Sequence, residues 1–149
     1  MTTQDVLVIL AADVANANAV ANTIADVTGL SFPVVTGETY QYEFTIPYTA
    51  AATTTGSRWC INGPASPTML SHFSQYPLTA TTFTMNCATA YDIPAACNAT
   101  SLLTGNVAIM QGEIKASGNG TVIARFASEV ASSAITAKAG ATLRYRRVL

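Results

Sequence analysis

From Thr39 to Tyr48, aromatic and aliphatic residues alternate with others: Tyr40, Tyr42, Phe44, Ile46 and Tyr48 against Thr39, Gln41, Glu43, Thr45 and Pro47. Successive side chains of a strand point to opposite faces, so this two-residue period predicts a half-buried antiparallel strand rather than an amphipathic helix. Each ring on the apolar face can bury roughly 150–250 Å², and that face is expected to supply much of a core. Just upstream, Leu30, Phe32 and Val34 alternate in the same way. Thr36-Gly37-Glu38 between them reads as a turn, so the two runs are expected to form a hairpin.

Further strands follow from the same pattern. Trp59 and Ile61 alternate with Arg58, Cys60 and Asn62, between Gly56 and Gly63-Pro64. Met69 to Phe73, Thr79 to Asn86 and Ala88 to Tyr91 are weaker strand signals, because β-branched Thr suits a pleated surface without marking an apolar face. Val107 to Ala116 and Thr121 to Ser128 flank Ser117-Gly118-Asn119-Gly120, which predicts a second hairpin. A last strand, Ala141 to Val148, follows Gly140, whereas Thr49 to Thr55 reads as a loop without core-forming side chains. Asp13 to Ala25 and Ala127 to Ala137 could be helical by composition, but neither carries an apolar stripe at helical spacing.

About eight short strands with regular turn signals and no helical crossovers predict an all-β fold, an antiparallel β-sandwich of the jelly-roll kind, with an up-and-down barrel as the alternative. The 149 residues suit one domain, able to bury enough surface to fold without metal or disulfide. The expected division is an N-terminal arm or first strand over 1–20 and a sandwich over 21–149. The Val6 to Leu10 run is apolar on both faces and is expected to pair with a strand of its own or a neighbouring subunit.

Charge narrows the function. Only 10% of residues are charged, against roughly 25% in ordinary soluble proteins. Such a surface suits a chain packed against copies of itself or partners, because every charge brought into a tight interface must be paired. The net charge of −1 gives no footprint for nucleic acid or an anionic membrane. Arg144, Arg146 and Arg147 are split between two strand faces. No apolar run approaches the roughly 20 residues of a membrane span. Met1-Thr-Thr-Gln-Asp lacks the basic start of a secretion signal, so synthesis in the cytoplasm is expected.

No constellation for catalysis emerges, and no catalytic, cofactor or metal residue is assigned. His72 is the single histidine and reads as a strand or interface residue. Cys60, Cys87 and Cys97 offer no paired metal-ligand spacing; buried apolar thiols and a Cys87–Cys97 bridge are the two readings. Glu38, Glu43, Glu113 and Glu129 could contain a carboxylate pair of the glycosidase type, but Glu43 and Glu113 fall on polar strand faces where a solvated carboxylate is the default. Gly118-Asn119-Gly120 lacks the following helix of a phosphate loop, and Asn98-Ala99-Thr100 matches a glycosylation sequon. Trp59 and the tyrosines could make a sugar platform, though core packing accounts for Tyr40, Tyr42 and Tyr48 more simply.

Three stretches carry a resemblance: Val27-Thr-Gly-Leu-Ser-Phe-Pro-Val, Phe44-Thr-Ile-Pro-Tyr-Thr-Ala-Ala-Ala-Thr-Thr-Thr-Gly-Ser-Arg-Trp, and the run from Ala124 to Leu143. They resemble a domain of tailed-bacteriophage virion proteins that occurs at the end of tail or fibre polypeptides or alone, and the likeness spans roughly residues 20–147. It implies a non-enzymatic β module, often oligomeric, and brings no catalytic residues. With only about twenty residues ahead of the domain, no fibre shaft is expected. The chain then resembles capsid cement or decoration proteins, which implies a homotrimer on the head surface holding major capsid subunits. A tail-tip module recognising a host glycan is the alternative.

Overall fold

The computed structural model describes residues 4–94 and 102–148, and within them every regular element is a β-strand. In chain order these are β1 (Val6–Ile9), β2 (Val14–Asn16), β3 (Ala25–Val34), β4 (Thr39–Ala50), β5 (Ser57–Asn62), β6 (Met69–Pro77), β7 (Phe83–Ala88), β8 (Asn106–Lys115), β9 (Gly120–Ser128), β10 (Ile135–Ala137) and β11 (Thr142–Arg147). All pairings are antiparallel. The large sheet runs β1-β11-β4-β8-β6-β7, with β10 beside β4 and β2 beside β10, and the small sheet runs β3-β9-β5. The fold is therefore an antiparallel β-sandwich. It is jelly-roll-like because the chain repeatedly changes sheets, from β3 to β4 to β5 to β6 and again from β8 to β9 to β10.

The alternation in β4 is realised in full. Tyr40, Tyr42, Phe44, Ile46, Tyr48 and Ala50 are buried, and Leu30, Phe32 and Val34 of β3 are buried opposite them. Phe32 is the hub where the layers meet, with ring centroids 6.0, 5.7 and 6.5 Å from Tyr40, Tyr42 and Phe44 and 4.9 Å from Tyr145. At the other end of the core, Trp59 stacks on Phe126 at 5.1 Å and meets Tyr48 at 5.0 Å. Pro47 explains an interruption in the same region. It has no N–H to donate, and the partner strand breaks beside it: β11 pairs with Thr45 and earlier residues, β10 resumes at Tyr48, and Lys138 N–H reaches the Pro47 carbonyl at 2.9 Å.

Two expected hairpins are corrected. β3 and β4 do not pair, and neither do β8 and β9; each turn carries the chain from one sheet to the other. Because β4 pairs with β8 and β3 with β9, the two crossing turns lie side by side and are laced together. Gly37, at φ +84°, donates to the Ala116 carbonyl at 2.8 Å, Ala116 donates to Glu38 at 3.1 Å, and Asn119 Oδ1 accepts from Thr36 N at 2.8 Å. The Gly-Asn-Gly segment is thus a structural clasp. Other differences are local. Ala88 to Tyr91 leaves β7 into a turn, the Thr49 to Thr55 segment contributes buried Ala50 and Thr55, and both stretches considered for helix contain short strands instead, β2 and β10.

The N-terminal run is the first strand of the chain's own large sheet, with Val6 opposite Tyr145 and Ile9 opposite Thr142. Val8 packs against the core, Leu10 is buried, and Leu7 and Ile9 face outward.

Candidate functional site

Residues singled out for chemistry are dispersed. His72 lies inside the sandwich on β6, in register with Gly112 of β8, which is itself in register with Tyr42 of β4. With no side chain at Gly112, the Tyr42 hydroxyl spans that strand and meets His72 Nδ1 at 2.8 Å. Burial pushes the imidazole down to about 4 and the phenol up, so the pair is neutral across ordinary pH. Trp59 is no sugar platform: it is fully buried, and its indole N–H donates to Ser57 Oγ at 3.0 Å, which donates to the Tyr48 hydroxyl at 2.9 Å.

The carboxylates also separate. Glu38 pairs with Arg147 at 3.4 Å and Glu129 with Arg58 at 3.1 Å, at different parts of the surface. Glu43 and Glu113 share the outer face of the large sheet, with Glu43 opposite Gln111 and Gln41 opposite Glu113. There Gln41 donates to Glu113 at 3.1 Å and accepts from Arg146 at 2.7 and 3.0 Å. Together with Asp5, Ser71 and Arg144 these side chains line a shallow polar depression of about 580 Å³.

Cys60 is buried on β5, 3.8 Å from Asp92, and burial followed by that carboxylate holds the thiol protonated. Asp92 anchors the segment after β7. It takes two 2.8 Å bonds from Arg125, accepts from Asn62, and its N–H reaches the Ile61 carbonyl at 3.0 Å. Arg125 also pairs with Asp26 at 2.8 Å. The segment is thereby tied to the outer edge of β5 at Ile61 and Asn62. Cys87 is an exposed thiol on β7, while Cys97 and the Asn98 sequon lie outside the described residues.

Sequence reasoning missed the most distinctive surface. On β7 the outward residues are Phe83, Met85 and Cys87, in register with Pro77, Gln75 and Phe73 of β6. Beyond them the same outer face continues through Ile109 and Val107 of β8 to Thr45 and Pro47 of β4. Phe83 is 57% exposed and Met85 67%. An uncharged field therefore runs from β7 across β6 and β8 to the Thr45–Pro47 end of β4, and the charged depression runs from β11 across the Gln41–Glu43 end of β4 to Glu113 of β8 and Ser71 of β6. A signal existed: from Trp59 to Gly112 the chain contains one Asp, Glu, Lys or Arg, namely Asp92, and Arg125 engages it on the opposite sheet.

No protein-family model matches the chain, and no curated protein does. Among solved structures it has a distant similarity to the infectious bursal disease virus VP2 subviral particle, at TM-score 0.31 and 6% identity over 99% of this chain and 41% of that one. The structure of the Gt strain of that virus matches at TM-score 0.27 and 11% identity, over 99% of this chain and 38% of the other. This chain thus spans about two fifths of the length of the structures it matches.

Proposed function

We propose that the protein is a non-enzymatic component of a phage particle, a capsid cement protein that seats the outer face of its large sheet on the head and holds neighbouring major capsid subunits. The observation that carries this reading is the uncharged field on the outer face of the large sheet, where Phe83, Met85 and Val107 are exposed and Phe73 and Ile109 half-buried between them. Isolated apolar side chains on a surface are ordinary; a contiguous field joined to a charge-poor tract is the mark of a surface made to be covered. The likeness of the sequence to virion domains points the same way.

Burial of such a face stabilises a contact by about 25 cal/mol per Å² before the costs of association, so single contacts are modest. Repetition around a shell makes the bound layer firm. Since hydrophobic burial is not screened as exposed ion pairs are, binding should change little with salt. The test is to add purified protein to expanded shells lacking it. We expect co-sedimentation at low and high ionic strength and greater resistance of the shells to heat, and we expect Phe83→Asp with Val107→Asp to abolish both. Both positions are exposed, so that variant should fold.

The polar depression favours one second reading, a tail-tip module, because amides, carboxylates, the guanidiniums of Arg144 and Arg146 and the Ser71 hydroxyl match the hydroxyls of a sugar. Binding to bacteria or surface glycan, with naked shells left untouched, would replace the cement reading by this one.

A further inference from the structure

The five sheet edges, β1, β2 and β7 of the forked large sheet and β3 and β5 of the small one, differ in a way that points to a second copy of this chain. Exposed edges pair with foreign strands unless charge, proline, irregularity or a covering segment prevents it. The small sheet has all of these. β3 carries Asp26 and Pro33 and a register shift between Asp26 and Ser31, and the edge of β5 is engaged at Ile61 and Asn62 by Asp92 and carries Arg58. In the large sheet β1 is short, flanked by Asp5 and Asp13, and Leu10 beyond it packs against Gly29 of β3, while β2 has only three residues, follows Asp13 and turns Asn16 inward to the Thr23 and Phe126 carbonyls. β7 is the least protected: on its inner side the Asn86 amide donates to the Ile93 carbonyl at 2.9 Å, but its edge carries none of the other devices. Its sequence Phe-Thr-Met-Asn-Cys-Ala holds no charge or proline, and among the described residues its only backbone partner is β6 and no strand lies beyond it.

We infer that two copies join antiparallel along β7, Met85 facing its counterpart across a two-fold axis perpendicular to the sheet. Side-chain parity supports this register. A two-fold of that kind keeps both outer faces on one side, so outward residues must oppose outward residues, and the axis must pass a residue rather than a gap. Centring on Met85 sets Phe83 against Cys87 of the other copy and Thr84 against Asn86 on the inner side, so every residue from 83 to 87 finds a partner. Centring on Asn86 would leave Phe83 unpaired. The uncharged tract means that no like charges meet in any of these pairs.

The inference deepens the cement reading and draws its biological sense from it: the dimer presents two uncharged fields on one side of a continuous sheet, able to span two capsid subunits. It sets a two-fold beside the three-fold expectation, and the cross-links below decide between them. One strand pair is small beside the roughly 1,200–2,000 Å² of stable interfaces, so the dimer should form at high protein concentration and on the crowded shell.

The test is oxidative cross-linking of Met85→Cys in a Cys87→Ser, Cys97→Ser background. Directly opposed strand residues have Cα atoms about 4.5–5.5 Å apart, within disulfide range. Met85→Cys alone should convert most of the protein to covalent dimer, Phe83→Cys alone should not, and Met85→Lys in the native background should return light scattering from twice the 15.5 kDa chain mass to a monomer. Cross-linking that requires Leu7→Cys together with Met85→Cys would overturn the two-fold in favour of a ring joining β7 to β1. Absence of any cross-link, with a monomer at high concentration, would overturn self-pairing altogether. Shell binding measured on the same samples separates this outcome from failure of the cement reading, since a monomer that still coats shells loses only the dimer.

Discussion

Replacing Gly112 by Ala tests the centre of the large sheet. A Cβ at this position would lie 2.2 Å from the Ser71 carbonyl oxygen, 2.8 Å from the Tyr42 hydroxyl and 3.1 Å from His72 Cα. Two of these neighbours are backbone of the adjacent strand β6, which cannot swing aside as a side chain could. β6 must move from β8, or the phenol must leave His72. Overpacking of this kind costs about 1–3 kcal/mol. Separating a buried hydroxyl from its imidazole partner adds roughly 1–3 kcal/mol. The smaller backbone entropy of alanine in the unfolded chain offsets about 0.4–1 kcal/mol. The net expectation is a loss of about 1–5 kcal/mol, a large share of the ~5–15 kcal/mol of a typical domain. Urea unfolding followed through Trp59, the single tryptophan and fully buried against Phe126, reads it directly. Gly118→Ala is the control, since its Cβ would meet nothing closer than 3.6 Å, and it should stay within about 0.5 kcal/mol of the parent. Adding Tyr42→Phe should recover part of the loss by removing one of the three clashes. A Gly112→Ala protein as stable as the Gly118→Ala control would refute the reasoning.

Two further outcomes follow from the core. The folded His72 titrates near about 4 because it is buried, below its ordinary 6.5, so the unfolded chain binds the proton first. Stability is complete above pH 6.5, falls as the pH drops towards 4, and levels off after a loss of about 3 kcal/mol; urea midpoints across that range should show the slope, and His72→Gln should remove most of it. An unchanged slope in that variant would assign it to the carboxylates instead. Phe44→Ala empties a fully buried ring beside Phe32 and should cost about 3–5 kcal/mol in the same assay, with a loss under about 1 kcal/mol counting against the inner-face assignment of β4.

How far the fold could be read from the chain depends on which forces act locally. The alternation of β4 was legible because the pleat fixes it residue by residue, whatever lies on either side. Its neighbours were not. Thr36-Gly37-Glu38 and Ser117-Gly118-Asn119-Gly120 each announce a reversal, and a reversal between two alternating strands has two solutions: apolar faces side by side in one sheet, or face to face across a core. Phe32 meeting Tyr40, Tyr42 and Phe44 shows the second solution taken, and the choice was made by pairings of β4 with β8 and β3 with β9 that are remote in sequence. The candidate site was hidden for a related reason. Thr79 to Asn86 carries little apolar periodicity because β7 has almost no core to cover: its outward residues are Phe83, Met85 and Cys87, and its inward ones Thr84, Asn86 and Ala88. A strand that is apolar on the outside and polar on the inside reverses the pattern by which strands are recognised. That reversal, inside a tract with one charge between Arg58 and Glu113, is the part of the sequence that folding alone does not account for, and it is what the proposed covering of the outer face would require.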